Sequence, residues 1–163
     1  VNRSRQHHGA GAIILSILAA FVLTALPLPA WASDWRPAWV ALVLIYWCMA
    51  VPTRVGVGVG WLLGLLLDVL LGTLLGQHAL GLAVVAYITQ RLHQRVRVLP
   101  IWQQGISIFT LVFFYQALML WIHGILGKPV QFSSYWAVPL TSMLLWPWVF
   151  IILRDMRRRY RVS

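Results

Sequence analysis

Between Arg54 and Arg91 the chain runs for 36 residues without a Lys or Arg, mostly Leu, Gly, Val and Ala. As one helix this stretch would be about 54 Å long at 1.5 Å per residue, against a bilayer hydrocarbon core of about 30 Å. Too long for one crossing, it fits a hairpin of two short helices, expected over Val55–Leu71 and Leu75–Gln90 with the turn near Gly72 to His78. Within it a small residue or the single Asp recurs at every fourth position: Gly56, Gly60, Gly64, Asp68, Gly72 and Gly76. Small residues at that spacing let two helix backbones approach closely. Four residues turn about 400°, so the row drifts by roughly 40° per step and suits a crossing partner. That partner is either another helix of this chain or another protein.

The rest of the chain divides by the same rule. Apolar residues make up 61% and charged residues 10%, against about 45–50% and about 25% in soluble domains. The chain therefore reads as an all-α integral membrane protein, a single polytopic domain over 1–163, with further spans at Gly9–Leu26, Ala38–Val51, Gln103–Leu126 and Trp136–Leu153. The first also resembles a signal peptide, with Arg3, Arg5, His7 and His8 before it and Ala30-Trp-Ala32 after it. Its 18 apolar residues exceed the usual signal core and approach a full crossing, which favours a retained helix. Pro27 and Pro29 end it, because proline cannot continue the hydrogen-bond ladder. Trp31, Trp35 and Trp39 then mark a headgroup boundary. The second span is short and needs flanking residues or a locally thinned bilayer. Pro139 and Pro147 should kink the last span or sit where neighbours satisfy the freed carbonyls.

Six spans put both termini on one side, and the basic residues agree. Eleven of the thirteen Lys and Arg fall there: Arg3, Arg5, Arg54, Arg91, Arg95, Arg97, Arg154, Arg157, Arg158, Arg159 and Arg161. Only Arg36 and Lys128 fall on the other. The positive-inside rule makes the majority side cytoplasmic, so residues 1–8 and 154–163 are basic cytoplasmic tails. The net charge of +10 is no sign of nucleic acid, since it lies in short clusters between apolar runs. The Arg91–Arg97 connection, ending at Pro100, and the tail from Arg154 are most simply orienting flanks that bind anionic lipid. A cytoplasmic protein partner is the alternative.

Asp68 is the one acidic residue inside an apolar run. A carboxylate deep in a bilayer costs about 2.5–3.5 kcal/mol on insertion scales, so it should face protein or water. Its candidate polar neighbours are Thr73, Gln77, His78, Gln116 and His123. It is either a proton or cation site, or a carboxyl near the outer interface bonded to a turn or helix end. Its place four residues before the hairpin favours the second. Elsewhere no nucleophile has a base at a recognisable spacing, so no enzyme is expected. His78 and His123 stand apart from any Cys or paired carboxylate, and neither a metal nor a cofactor is expected. Gly56-Val-Gly-Val-Gly60 lacks the Lys and Ser/Thr of a phosphate loop. Ser16, Thr24, Ser107 and Ser142 read as residues that bond back to their own helix. Cys48, the lone Cys, reads as apolar filler.

The run from Gly60 through Gly64, Asp68, Gly72 and Gly76 to Leu80 resembles the G-x3-G-L-x2-D-x3-G-x3-G-x3-L signature of the bacterial rod shape-determining protein MreD family. Size, six-span layout and basic tails are similar too, so the resemblance extends over the whole chain. It implies a non-enzymatic scaffold of the bacterial inner (cytoplasmic) membrane, within the machinery that positions peptidoglycan synthesis during elongation. Implied partners are a single-span MreC-like protein, MreB, RodA and a class B penicillin-binding transpeptidase, with a homodimer left open. The glycine row would then be the groove for the MreC-like partner. The family is also similar in fold to the substrate-binding subunits of energy-coupling-factor transporters, which implies a small-ligand-binding alternative. Short outward loops with few polar groups disfavour it.

Overall fold

The computed structural model describes residues 2–26, 38–51, 55–72, 75–127 and 132–159. These form six helices: α1 (Asn2–Ala25), α2 (Trp39–Ala50), α3 (Val57–Leu71), α4 (Gln77–Arg97), α5 (Ile101–Ile125) and α6 (Phe132–Arg159). By length and composition, α5 and the Ala137–Arg159 part of α6 can each cross a membrane, while α2, α3 and the Gly11–Ala25 part of α1 are shorter apolar helices.

The centre of the bundle is α2. Every residue from Val40 to Met49 is buried, as expected of a helix that is apolar on all sides. Packed against α1, α4 and α6, its 12 residues reach only about 18 Å. Polar anchors hold both of its ends. The Trp47 indole donates to Ser16 Oγ at 2.8 Å, and the Ser16 hydroxyl donates to the Ile13 carbonyl at 2.7 Å. At the start of α2, Ala38 offers no capping side chain. Its N–H donates instead to Ser142 Oγ of α6 at 3.2 Å. Ser142 therefore caps a neighbouring helix rather than bonding back to its own. Gln104 of α5 ties three helices, donating to the Val96 carbonyl at 3.2 Å and accepting the Trp146 indole at 3.4 Å.

These contacts sort the helix termini into two ends. One collects the start of α1 and α5 and the last turns of α2, α4 and α6. The other collects the α3–α4 turn, the start of α2 and α6 and the last turns of α1 and α5.

Four expected boundaries move. Arg91 to Arg97, expected as a connection, continues α4. Gln and Arg are good helix formers, and Arg91 folds back on Tyr87 one turn earlier, donating from Nε to the Tyr87 hydroxyl at 3.1 Å. Pro100 then stops the helix. The tail after Leu153 likewise continues α6 to Arg159, where cations face the negative end of the helix dipole. The polar stretch expected as a loop before Trp136 is helical from Phe132, and residues 2–8 of the first tail belong to α1. Pro27, Pro29, Trp31, Trp35, Arg36, Arg54, Thr73, Lys128 and Arg161 lie outside the described residues.

Candidate functional site

The row spaced by four divides at Asp68. Gly56, Gly60 and Gly64 face α4. A Cβ on Gly60 would come 2.9 Å from the Leu82 carbonyl oxygen and 3.2 Å from Ala86 Cβ, and one on Gly64 would run into the backbone of Ala79. At Gly56 it would strike the Gln90 amide. The groove that these glycines make is therefore filled by the next helix of the same chain. Gly72 and Gly76 serve the turn instead. Both have positive φ, 69° and 101°, a region that costs side chains with a Cβ. No atom would crowd a Cβ at either. One spacing thus meets two needs, close approach before Asp68 and left-handed backbone after it.

Asp68 joins the two parts. It is fully buried, at 0% exposure. Its Oδ2 accepts the Gly76 N–H at 2.9 Å, and its Oδ1 accepts the His78 N–H at 2.9 Å. Oδ1 also lies 2.6 Å from His78 Nδ1. Gly76, the residue that should cap α4, has no side chain to do so. The carboxylate of the preceding helix takes that place, holding the first N–H groups and facing the positive end of the α4 dipole. Its own backbone carbonyl accepts the Gly72 N–H. A group that would be costly in lipid is thereby matched by two backbone N–H donors and the His78 ring, all within ten residues along the chain.

Around this turn lies a cleft of about 280 Å³, lined among others by Thr24, Trp39, Leu67, His78, Tyr115 and His123. The His78 and Tyr115 rings are 6.3 Å apart. Of the other neighbours expected for Asp68, Gln77 turns to α5, its Nε2 lying 2.9 Å from His123 Nε2 and 3.8 Å from Met119 Sδ. Gln116 lines the cleft. The chemistry on offer is hydrogen bonding through imidazole, phenol and amide. Among the described residues no group of three or more His, Cys, Asp or Glu is placed to hold a metal.

Gly81 adds a contact that the spacing of four passes over, because it falls five residues after Gly76. A Cβ there would meet the Tyr115 ring at 2.7 Å, so α4 is pressed against α5 as well as α3. The buried indoles of Trp47 and Trp146, and Gln104 as the acceptor of the second, were also not singled out in the sequence.

At the opposite end, Arg91, Arg95, Arg158 and Arg159 are exposed and Arg154 and Arg157 half-buried. The Arg154 guanidinium stacks over Phe150, with Cζ 5.7 Å from the ring centre. Arg97 lies in the last turn of α4.

Comparison with known proteins agrees with the signature around Asp68. The sequence profile of the family described as rod shape-determining protein MreD matches residues 6–156. The rod shape-determining protein MreD of Haemophilus influenzae is 36% identical over 152 residues, covering 92% of this chain and 93% of the relative. No solved structure matches the chain.

Proposed function

The chain belongs to the rod shape-determining protein MreD family, and from that premise we propose that it is a non-catalytic, multi-pass scaffold of the bacterial inner membrane. Rod-shape determination is the role that family membership carries. The finer reading is that the bundle holds a single-span, MreC-like partner and helps to place RodA, a class B transpeptidase and MreB along the wall. Six crossings with both termini cytoplasmic are part of this proposal, supported by the distribution of Arg between the two ends.

The observation that carries the reading is the placement of α3. Its glycine face is closed against α4. Its other face leaves Trp61, Leu62, Leu66 and Val69 exposed, with Gly58 beside open space. A partner helix crossing that face finds aliphatic knobs and one small residue for close approach. The groove expected at Gly60 and Gly64 thus becomes the device that holds α3 in position, and the partner surface moves to the helix's far side. The polar groups at the turn support the same reading, because Asp68 is engaged in shaping the hairpin.

The test is disulfide or bifunctional crosslinking in cells from Cys placed along α3. Positions 58, 62, 66 and 69 should crosslink to a single-span protein, while 60 and 64 should not. Crosslinks to no other chain from any of the exposed positions would sink the partner surface. Affinity purification in mild detergent should recover the same protein.

A further inference from the structure

Among the described residues, no salt bridge engages the Arg side chains at the basic end of the bundle. Tyr46 of α2 is buried beneath it, in an aromatic cluster with Phe150 at 5.8 Å and Trp146 at 6.5 Å between ring centres. Arg157 donates a side-chain hydrogen bond to the Tyr46 hydroxyl, and the charges of Arg154 and Arg158 lie close enough to act on it as well. The Arg154 guanidinium lies over the Phe150 ring, its Nε shut off from solvent and without an acceptor. The nearby carboxylate, Asp155, is exposed. Among the described residues the Asp68–His78 contact is the sole ion pair, and it lies at the other end. Three guanidinium groups therefore gather around one phenol with a single exposed carboxylate beside them and no salt bridge to it, and the net positive charge calls for an anion.

We infer that Arg154, Arg157 and Arg158, with the Tyr46 hydroxyl, form a defined site for the phosphate of one anionic phospholipid. This rests on the membrane reading above and sharpens the general affinity of basic flanks for acidic lipid into a single place. Guanidinium forks match phosphate oxygens geometrically as well as by charge. The contact of Arg154 with the Phe150 ring already restrains that side chain, so less of its freedom is lost on binding. The phenol supplies a neutral donor. Leu144, Trp148 and Ile151 are exposed along α6 before the cluster, and offer the acyl chains an apolar track in line with the headgroup. Arg91 is a natural control, because its Nε already donates to the Tyr87 hydroxyl and its guanidinium stacks on that ring.

The experiment is native mass spectrometry of the full chain released from nanodiscs of mixed phosphatidylglycerol and phosphatidylcholine. Wild type should retain one phosphatidylglycerol in preference to phosphatidylcholine. With each basic side chain near an anionic surface contributing its usual increment, R154Q/R157Q should lower the apparent affinity roughly thirtyfold. R91Q should retain the lipid. R154K/R157K, which keeps charge but not the forks, should fall between wild type and the double Gln variant. Equal retention of the two lipids, or equal loss in R91Q and R154Q/R157Q, would overturn the site in favour of a diffuse basic surface. Displacement of the bound lipid by millimolar inorganic phosphate would assign the cluster to a free anion and equally overturn it. Failure of the chain to sediment with membranes after carbonate washing would instead refute the underlying membrane reading.

Discussion

At the hairpin end, Asp68 is held by two backbone N–H groups and the His78 ring of its own chain, whereas at the basic end Arg154, Arg157 and Arg158 meet around Tyr46 with no salt bridge to the nearby Asp155. Both ends concentrate charge in a largely apolar molecule. They differ in what satisfies it. The Asp68 contacts close within the chain and hold a turn in shape. The Arg cluster is left to an external anion. Charge satisfied internally should behave as a stability element, and charge left open should behave as a binding element.

The largest expected effect lies at the hairpin end. Gly64→Leu places a side chain into the Ala79 backbone and should cost about 3 kcal/mol or more, since neither helix can yield without moving the other. Gly58→Ala, on the open face, should be neutral or stabilising by about 0.5–1 kcal/mol through helix propensity. Thermal unfolding of the two purified variants reads the contrast directly. If Gly64→Leu melts like wild type, close packing does not hold α3 to α4.

Removing the cap comes next. Asp68→Ala leaves the Gly76 and His78 N–H groups without their acceptor and should cost about 2–3 kcal/mol. Asp68→Asn keeps one acceptor oxygen and should lose less, with rod shape retained at normal protein level. Loss of rod shape in Asp68→Asn at normal level would show that the negative charge itself has a role. A smaller effect is expected at the start of α2, where Ser142→Ala strands the Ala38 N–H and should cost about 1 kcal/mol, the usual value of a helix cap.

The basic end should give the smallest change, and of the other sign. In lipid-free detergent R154Q/R157Q should lie within about 0.5 kcal/mol of wild type, or slightly above it, because like charges are separated. A marked loss of stability there would mean that the Arg cluster braces the fold as Asp68 does, and the contrast between the ends would collapse.

Particular residues show what was legible in advance. The interval free of Lys and Arg between Arg54 and Arg91 was enough to require two short helices, because length against bilayer thickness is a one-dimensional argument. Gly72 and Gly76 marked the turn, because glycine's freedom at positive φ is local. Asp68 beside that turn was legible as a bonded carboxyl by its position alone. The reach of α4 to Arg97 and of α6 to Arg159 was not, since a charge run looks the same whether it is coiled or continues a helix. Tyr87 catching Arg91 decides it in α4, one turn back. The direction of the glycine face was not legible either. Spacing of four states that something packs closely, and only the fold names Ala79, Leu82 and Ala86 as the surface that does.

The sequence by itself thus determined the helical membrane character, the hairpin and the family, because these depend on composition, run length and local backbone preference. Which helix fills the glycine face, that Ser142 caps α2, and that Arg154, Arg157 and Arg158 converge on Tyr46 were decided only in three dimensions. Each of these joins residues about 15 to more than 100 positions apart, and nothing in one-dimensional spacing carries such a distance.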